Sequence, residues 1–216
     1  MLFDFDLTLA DSRAAVTDCV NHALRGLGLA EAAPAAIHRT IGLSLPRTLA
    51  LLTGTESHPD TEAFQRSFAA RADEVMVART ALFPEVPGVL ARLRAAGVRS
   101  AVVSTKFRHR IEATLARDGL AHAFGAIVGG EDVTRHKPDP EGLHAALARL
   151  GEASHSAVYV GDHPVDAEAA RRAGLRFIAV LTGASQRAEF AAHPVERFLE
   201  TLAELPAQLA SLSRPA

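Results

Sequence analysis

From residue 98 onward the chain alternates short apolar runs with amphipathic stretches that end at glycine. This alternation constrains the fold more than any other feature. Val98–Ser104, Ala126–Val128, Ala157–Val160 and Arg176–Leu181 read as buried strands. Pro87–Ala96, Phe107–Asp118, Asp139–Leu150 and Pro164–Ala173 read as helices. Gly97, Gly119, Gly151 and Gly174 follow them, where a helix closes with a left-handed residue. The pattern predicts an α/β fold: a parallel sheet with helices on both faces.

Residues 13–80 have a different texture and no convincing strand. Val16, Cys19, Val20, Ala23, Leu24 and Leu27 follow the spacing of one helix face. Leu45–Leu52 and Thr61–Arg79 are further helical patterns, separated by Gly54 and Pro59. Phe64 and Phe68, four apart, read as the core of this helical region. The predicted organisation is therefore a core formed by residues 1–12 and 81–216, interrupted after its first strand by an all-helical insert, residues 13–80. Only three residues precede Asp4, fewer than the roughly five or six of a usual strand. The stretch from Ser185 to Ala216 is amphipathic and is expected to dock on the core.

Composition narrows the function classes. With 48% hydrophobic and 22% charged residues the chain is ordinary globular protein. A net charge of −2 gives no basic field for nucleic acid. The start has no basic, apolar leader, and nowhere do about 18 apolar residues run together, so neither a signal peptide nor a membrane span is expected. Cys19 is the single cysteine and has no partner for an internal disulfide, which points to a reducing, cytoplasmic setting. Of 23 basic residues only Lys106 and Lys137 are lysines, so any role that needs a lysine has two candidates.

Four segments carry candidate chemistry. In Asp4-Phe5-Asp6-Leu7-Thr8 a short apolar strand runs into two carboxylates, which repel each other unless a cation or a shared proton compensates. Val102-Val103-Ser104-Thr105-Lys106 ends a strand in two hydroxyls ahead of a helix, an arrangement that offers donors to an anion. In His136-Lys137-Pro138-Asp139-Pro140 two prolines brace a lysine. Gly161-Asp162-His163-Pro164-Val165-Asp166 places one aspartate at a strand end and another one helical turn on. Each alone is equally an ordinary cap or turn. Together they set four aspartates, two hydroxyls and a lysine on one sheet edge, where open α/β folds bind ligands. Carboxylates plus a few further oxygens suit Mg²⁺, which prefers octahedral oxygen ligation, and the lysine and hydroxyls suit a phosphoryl group.

These four segments, in this order and with a helical insert between the first two, resemble the haloacid dehalogenase superfamily. Within it the chain is similar to phosphoglycolate-phosphatase-like members with a helical cap. The resemblance implies a Rossmann-like sheet of strand order 5-4-1-2-3 and a Mg²⁺-dependent phosphatase acting through an aspartyl-phosphate. It implies Asp4 as nucleophile and metal ligand, Asp6 as general acid and then base, with its backbone carbonyl on the metal, and Asp162 as a further metal ligand. Thr8 is expected to position Asp6. Ser104 and the backbone of Thr105 are expected to hold phosphoryl oxygens, and Lys137 to neutralise nucleophile and phosphate. Asp166 would orient Lys137 or a metal-bound water. Lys106, at the start of a helix, is expected to face solvent.

The usual first motif of the family has glycine where this chain has Leu7. If the position needs a positive φ, leucine is strained there. Dehalogenase members lack the second aspartate, and phosphonatase members use a cap lysine that this chain does not have. Sugar phosphomutases usually carry Glu-Asp where this chain has Gly161-Asp162. Ser44 reads as the N-cap of a helix with Pro46 in its first turn, and Arg47 is expected to receive an anionic end of the substrate. The expected partner is a small-molecule phosphate, with phosphoglycolate ahead of pyrophosphate, sugar phosphates and nucleotides. The chain would act as a monomer or homodimer. From a different class, a non-catalytic phosphate-binding or phospho-acceptor regulatory protein remains open.

Overall fold

A computed structural model describes residues 1–212. The chain begins with β1 (Leu2–Phe3), turns through Asp4–Leu9, and leaves by β2 (Ala10–Asp11) into α1 (Arg13–Gly26), α2 (Pro34–His38), α3 (Leu45–Thr53) and α4 (Thr61–Arg79). It returns through β3 (Ala81–Leu82), which pairs antiparallel with β2. Then come α5 (Val86–Ala95), β4 (Ala101–Val103), α6 (Arg108–Arg117), β5 (Ala126–Val128), α7 (Glu141–Leu150), β6 (Val158–Gly161), α8 (Pro164–Ala173), β7 (Arg176–Val180), β8 (Arg197–Leu199) and α9 (Leu205–Leu212).

The main sheet is parallel, in the order β5-β4-β1-β6-β7-β8. Its first five strands follow the expected order, and β8 adds a sixth at the edge. The period of two along a strand is explicit here. Leu2, Ala101, Val103, Tyr159 and Phe177 pack on one face with α7 and α8. Phe3, Val102, Val158, Val160 and Ile178 pack on the other with α5 and α6. Each of the larger of these side chains contributes about 1.5–3 kcal/mol by leaving water. Helices α1–α4 build a core of their own from Cys19, Val20, Leu24, Leu49, Phe64, Phe68 and Met76.

Four elements went unanticipated. Strands β2 and β3 are only two residues each, too short for any periodicity. Helix α2 is a five-residue helix opened by Pro34. Strand β8 lies in the tail read only as amphipathic, which reaches the core through Leu199, Leu202 and Leu205; residues 213–216 of that tail lie outside the described residues. Among the described residues no helix is long and apolar enough to cross a membrane.

Candidate active site

Because β1 lies between β4 and β6, the residues that follow these three strands share one edge: Asp4 after β1, Ser104 after β4 and Asp162 after β6. The backbone continues the ladder for one residue past two of the strands, with Asp4 N donating to Val160 O at 2.9 Å and Ser104 N to Val128 O at 3.0 Å. Sheet register, and not a flexible loop, thus fixes the first carboxylate.

Asp4 is fully buried, and neither of its carboxylate oxygens makes a well-formed hydrogen bond. Lys137 Nζ stands 3.1 Å from Asp4 Oδ1 as an ion pair outside hydrogen-bond geometry, and 2.6 Å from Asp166 Oδ1. Tyr159, the one tyrosine of the chain, links the group: its hydroxyl accepts from Lys137 Nζ at 3.1 Å and lies 3.0 Å from Val103 O and 3.2 Å from Asp166 Oδ1. The other oxygen of Asp166 accepts from His163 N at 3.1 Å. Thr8 Oγ1 donates to Asp162 Oδ1 at 3.0 Å. Thr8 therefore braces Asp162 and not Asp6, because the turn after Asp6 swings residue 8 back toward β6.

Burial pushes the Asp4 carboxyl up to about 7; Lys137 opposes this, and the neighbouring Asp166 and Asp6 add to it. Asp162 is pushed well above the carboxylate range by burial and then by Asp166 and Asp4. Burial would lower Lys137, but Asp166 and Asp4 more than offset it and hold its ammonium charged. Ligand oxygens of Asp4, Asp162 and Asp166 come within 4.8 Å of one another. Three carboxylates facing one ammonium, with neither oxygen of Asp4 in a well-formed hydrogen bond, fit a divalent cation. Asp166 has its oxygens engaged by Lys137, Tyr159 and His163, which leaves Asp4 and Asp162 the more open pair.

Asp6 sits outside that cluster. Its Oδ1 accepts from Lys106 Nζ at 2.7 Å, and the Lys106 side chain is only 2% exposed, over the ring of Phe5. The solvent-facing role expected of Lys106 is thus corrected. The residue precedes α6, which starts at Arg108, and the turn between strand and helix points it inward. A sequence signal was present, since one of two lysines directly follows the hydroxyl pair.

The turn that carries Asp6 is tight. Leu7 has φ 60° and is buried, Leu7 N donates to Ala10 O at 2.7 Å, and Thr182 Oγ1 donates to Leu7 O at 2.5 Å. The position does hold the left-handed conformation in which glycine is usual, and leucine bears about 1–2 kcal/mol for it. Two glycines make room for the acids. A Cβ on Gly161 would lie 2.7 Å from Asp166, and one on Gly183 would lie 2.1 Å from Asp162 Oδ2. Gly183 was not anticipated, because a glycine twenty residues downstream carries no local signal.

Ser104 is buried at the end of β4, its Oγ 3.4 Å from Lys106 N, and Thr105 Oγ1 reaches Gly42 O, at 3.4 Å, in the loop before α3. A cavity of about 240 Å³ lies between that loop, α1, α4 and the sheet edge, with Asp6, Thr105 and Lys106 in its wall. Arg47 does not line it. Its side chain is 56% exposed and its nearest acid is Glu56 at 3.9 Å. Ser44 occupies the N-cap position of α3 without a side-chain capping bond, and the first turn of that helix directs residue 47 outward. The role expected of Arg47 is corrected accordingly. His136 reaches the rim of the cavity.

The model of the haloacid dehalogenase-like hydrolase family matches residues 1–180. The chain belongs to this family. A phosphoglycolate phosphatase of Rhodobacter capsulatus is 32% identical over 186 residues, covering 85% of this chain and 84% of that protein. A structure from Bacteroides fragilis described as a haloacid dehalogenase-like hydrolase superposes with a TM-score of 0.91 at 40% identity, covering 94% of this chain and 97% of the other. The protein CbbY of Rhodobacter sphaeroides, solved in complex with phosphate, superposes with a TM-score of 0.77 at 27% identity over 94% of each chain. The sheet edge that carries Asp4, Ser104 and Asp162 lies within the matched residues of this hydrolase.

Proposed function

We propose that this hydrolase is a Mg²⁺-dependent phosphatase that cleaves a small-molecule phosphate monoester through an aspartyl-phosphate. The observation that carries the reading is the Asp4 carboxylate, fully buried at a strand end, with no well-formed hydrogen bond to either oxygen, beside the Lys137 ammonium and the Asp162 carboxylate. A carboxylate kept bare is suited to attack an electrophile. Residues 13–80 would act as a cap over a core of residues 1–12 and 81–216, in a cytoplasmic enzyme whose buried Cys19 stays reduced.

Asp4 attacks phosphorus as the ester oxygen leaves, and Asp6 gives that oxygen its proton. Asp6 then takes a proton from water as the water oxygen attacks phosphorus and frees the Asp4 carboxylate. Two easier displacements replace one difficult one. Lys137 removes charge repulsion between Asp4 and the phosphate, and Asp166 and Tyr159 hold Lys137 in place. Ser104 and the Thr105 backbone hold phosphoryl oxygens, and Lys106 fixes the orientation of Asp6. Mg²⁺, held by Asp4, Asp162 and the Asp6 carbonyl, would supply positive charge to the phosphoryl oxygens. Gly161 supports hydrolysis over phosphomutase chemistry, because the packed Asp166 leaves no space for a side chain there.

The test is acid-quenched labelling with a radiolabelled phosphate ester in a single turnover, on the wild-type protein and Asp4→Asn. The reading expects acid-stable label on wild type only, and Mg²⁺-dependent turnover of p-nitrophenyl phosphate. Turnover by Asp4→Asn would refute the nucleophile. Labelling without turnover would favour the phospho-acceptor alternative. Phosphoglycolate, named for the relatives, stands beside pyrophosphate, sugar phosphates and nucleotides as a candidate substrate.

A further inference from the structure

The cavity beside Asp6 is more apolar than a carboxylate-bearing leaving group requires. Its walls include Val16, Val20, Leu43, Phe68 and Met76, beside the uncharged polar Thr48 and Gln65. Phe107 also lines it, although 36% exposed, one of two large apolar side chains that the described residues leave open to solvent.

The lysine and the arginine in the wall each already have a carboxylate. Lys106 is held by Asp6 at 2.7 Å. Arg110 is held by Asp73 at 2.7 Å, donates to Ala69 O at 3.0 Å and stacks over Phe107 at 4.8 Å. Both are nearly fully buried, so neither turns toward a new anion without breaking a formed pair. Arg47, the cation that an anionic substrate end would need, lies outside. The volume of about 240 Å³ also exceeds what a two-carbon glycolate fills.

We infer that the cavity takes an uncharged, apolar leaving group, such as a short alkyl or aryl body, and discriminates against a leaving group that carries a carboxylate. The inference rests on the proposed phosphatase reading, which puts the phosphoryl group at Asp4 and the leaving group past Asp6. That direction is where the apolar walls begin.

Non-hydrolysable phosphonates test it independently of turnover. Binding to the Mg²⁺-loaded wild-type protein is measured by calorimetry for methyl-, propyl- and n-pentylphosphonate and for the five-carbon phosphonate that ends in a carboxylate. Affinity should rise by up to about fourfold per buried methylene. The carboxylate-ended ligand should bind at least tenfold more weakly than n-pentylphosphonate. Leu43→Arg, which brings a cation to the half-buried loop residue of the wall, should narrow that ratio several-fold. A flat alkyl series, or equal or tighter binding of the carboxylate ligand to wild type, overturns the inference. So does an unchanged ratio in Leu43→Arg. Turnover of phosphate esters is measured in parallel. Apolar preference without any turnover would defeat the phosphatase reading and leave the cavity assignment standing, whereas turnover without the preference would do the reverse.

Discussion

Replacing Asp4 by asparagine should make the metal-free protein more stable, and the gain should grow with pH. In the unfolded chain this carboxyl titrates near 3.8; in the fold burial lifts it to about 7. Between those values the folded state holds a proton that the unfolded state has released. Stability therefore falls as pH rises from about 4 to about 7, and stays at the lower level above. Ionising Asp4 inside the fold costs about 4 kcal/mol over that interval, with no discount for solvent because the group is fully buried. Asparagine has nearly the same shape and no charge to bury, and Lys137 keeps Asp166 as its partner. At pH 8 the variant should gain about 4 kcal/mol; at pH 5, where folded wild type is protonated at Asp4, less than half of that. For a chain of this length that is roughly 10 °C in Tm at pH 8 and about 4 °C at pH 5. Differential scanning calorimetry in EDTA at the two pH values measures it. Mg²⁺ should then raise the Tm of wild type at pH 8 more than that of Asp4→Asn. A variant less stable than wild type at pH 8, or a gain that does not change with pH, would refute the claim that Lys137 only partly offsets the cost of burying the Asp4 charge.

Three further outcomes follow from the same geometry. Turnover of p-nitrophenyl phosphate should vanish in EDTA and return with Mg²⁺ but not Ca²⁺, whose looser shell would grip Asp4 through both oxygens; full activity of metal-free protein would contradict this. Lys106→Met and Lys137→Met should each lower kcat at least a hundredfold while Arg47→Ala leaves kcat/KM within about twofold, as steady-state kinetics would show. Gly161→Ala should lose about 1–3 kcal/mol in urea unfolding and much of its activity, since the new methyl must displace Asp166 and with it Lys137.

What was legible in the sequence was whatever a strand end or a helix period encodes locally. Asp4, Ser104 and Asp162 each follow an apolar run, and the sheet order brings the three together. Pro164–Ala173 and Thr61–Arg79 match their helices residue for residue. What was not legible depends on how a turn rotates a side chain. Thr8 braces Asp162 because a left-handed Leu7 redirects the chain, and Lys106 points inward because the turn through Phe107 separates it from the start of α6. Arg47 looked well placed in sequence, at a helix start near the cap loop. Its direction is set by the phase of α3 against the rest of the insert, which no local pattern records. The ribbon of β2 and β3 is held by tertiary pairing across seventy residues of chain, a distance at which periodicity says nothing.

The distribution of the two lysines carries one more step. Arginine supplies the other basic residues, and those in exposed ion pairs, such as Arg66 with Glu62, contribute little to stability. Both lysines, by contrast, have nearly inaccessible side chains and pair with aspartates of the first segment: Lys106 with Asp6, Lys137 with Asp4. A buried ion pair is on average no more stabilising than apolar residues of the same volume, because desolvation offsets the attraction. Stability alone therefore gives no reason to hold two such pairs within one short turn. A compact ammonium does have a reason to be there if the two carboxylates perform different tasks. Lys137 shares its charge between Asp4 and Asp166, on the side of the proposed nucleophile. Lys106 serves Asp6 alone, in the wall of the apolar cavity. On the proposed reading the two pairs would separate a phosphoryl side from a leaving-group side, and Leu7, held in its unfavourable conformation just after Asp6, is where the chain turns back toward Asp162.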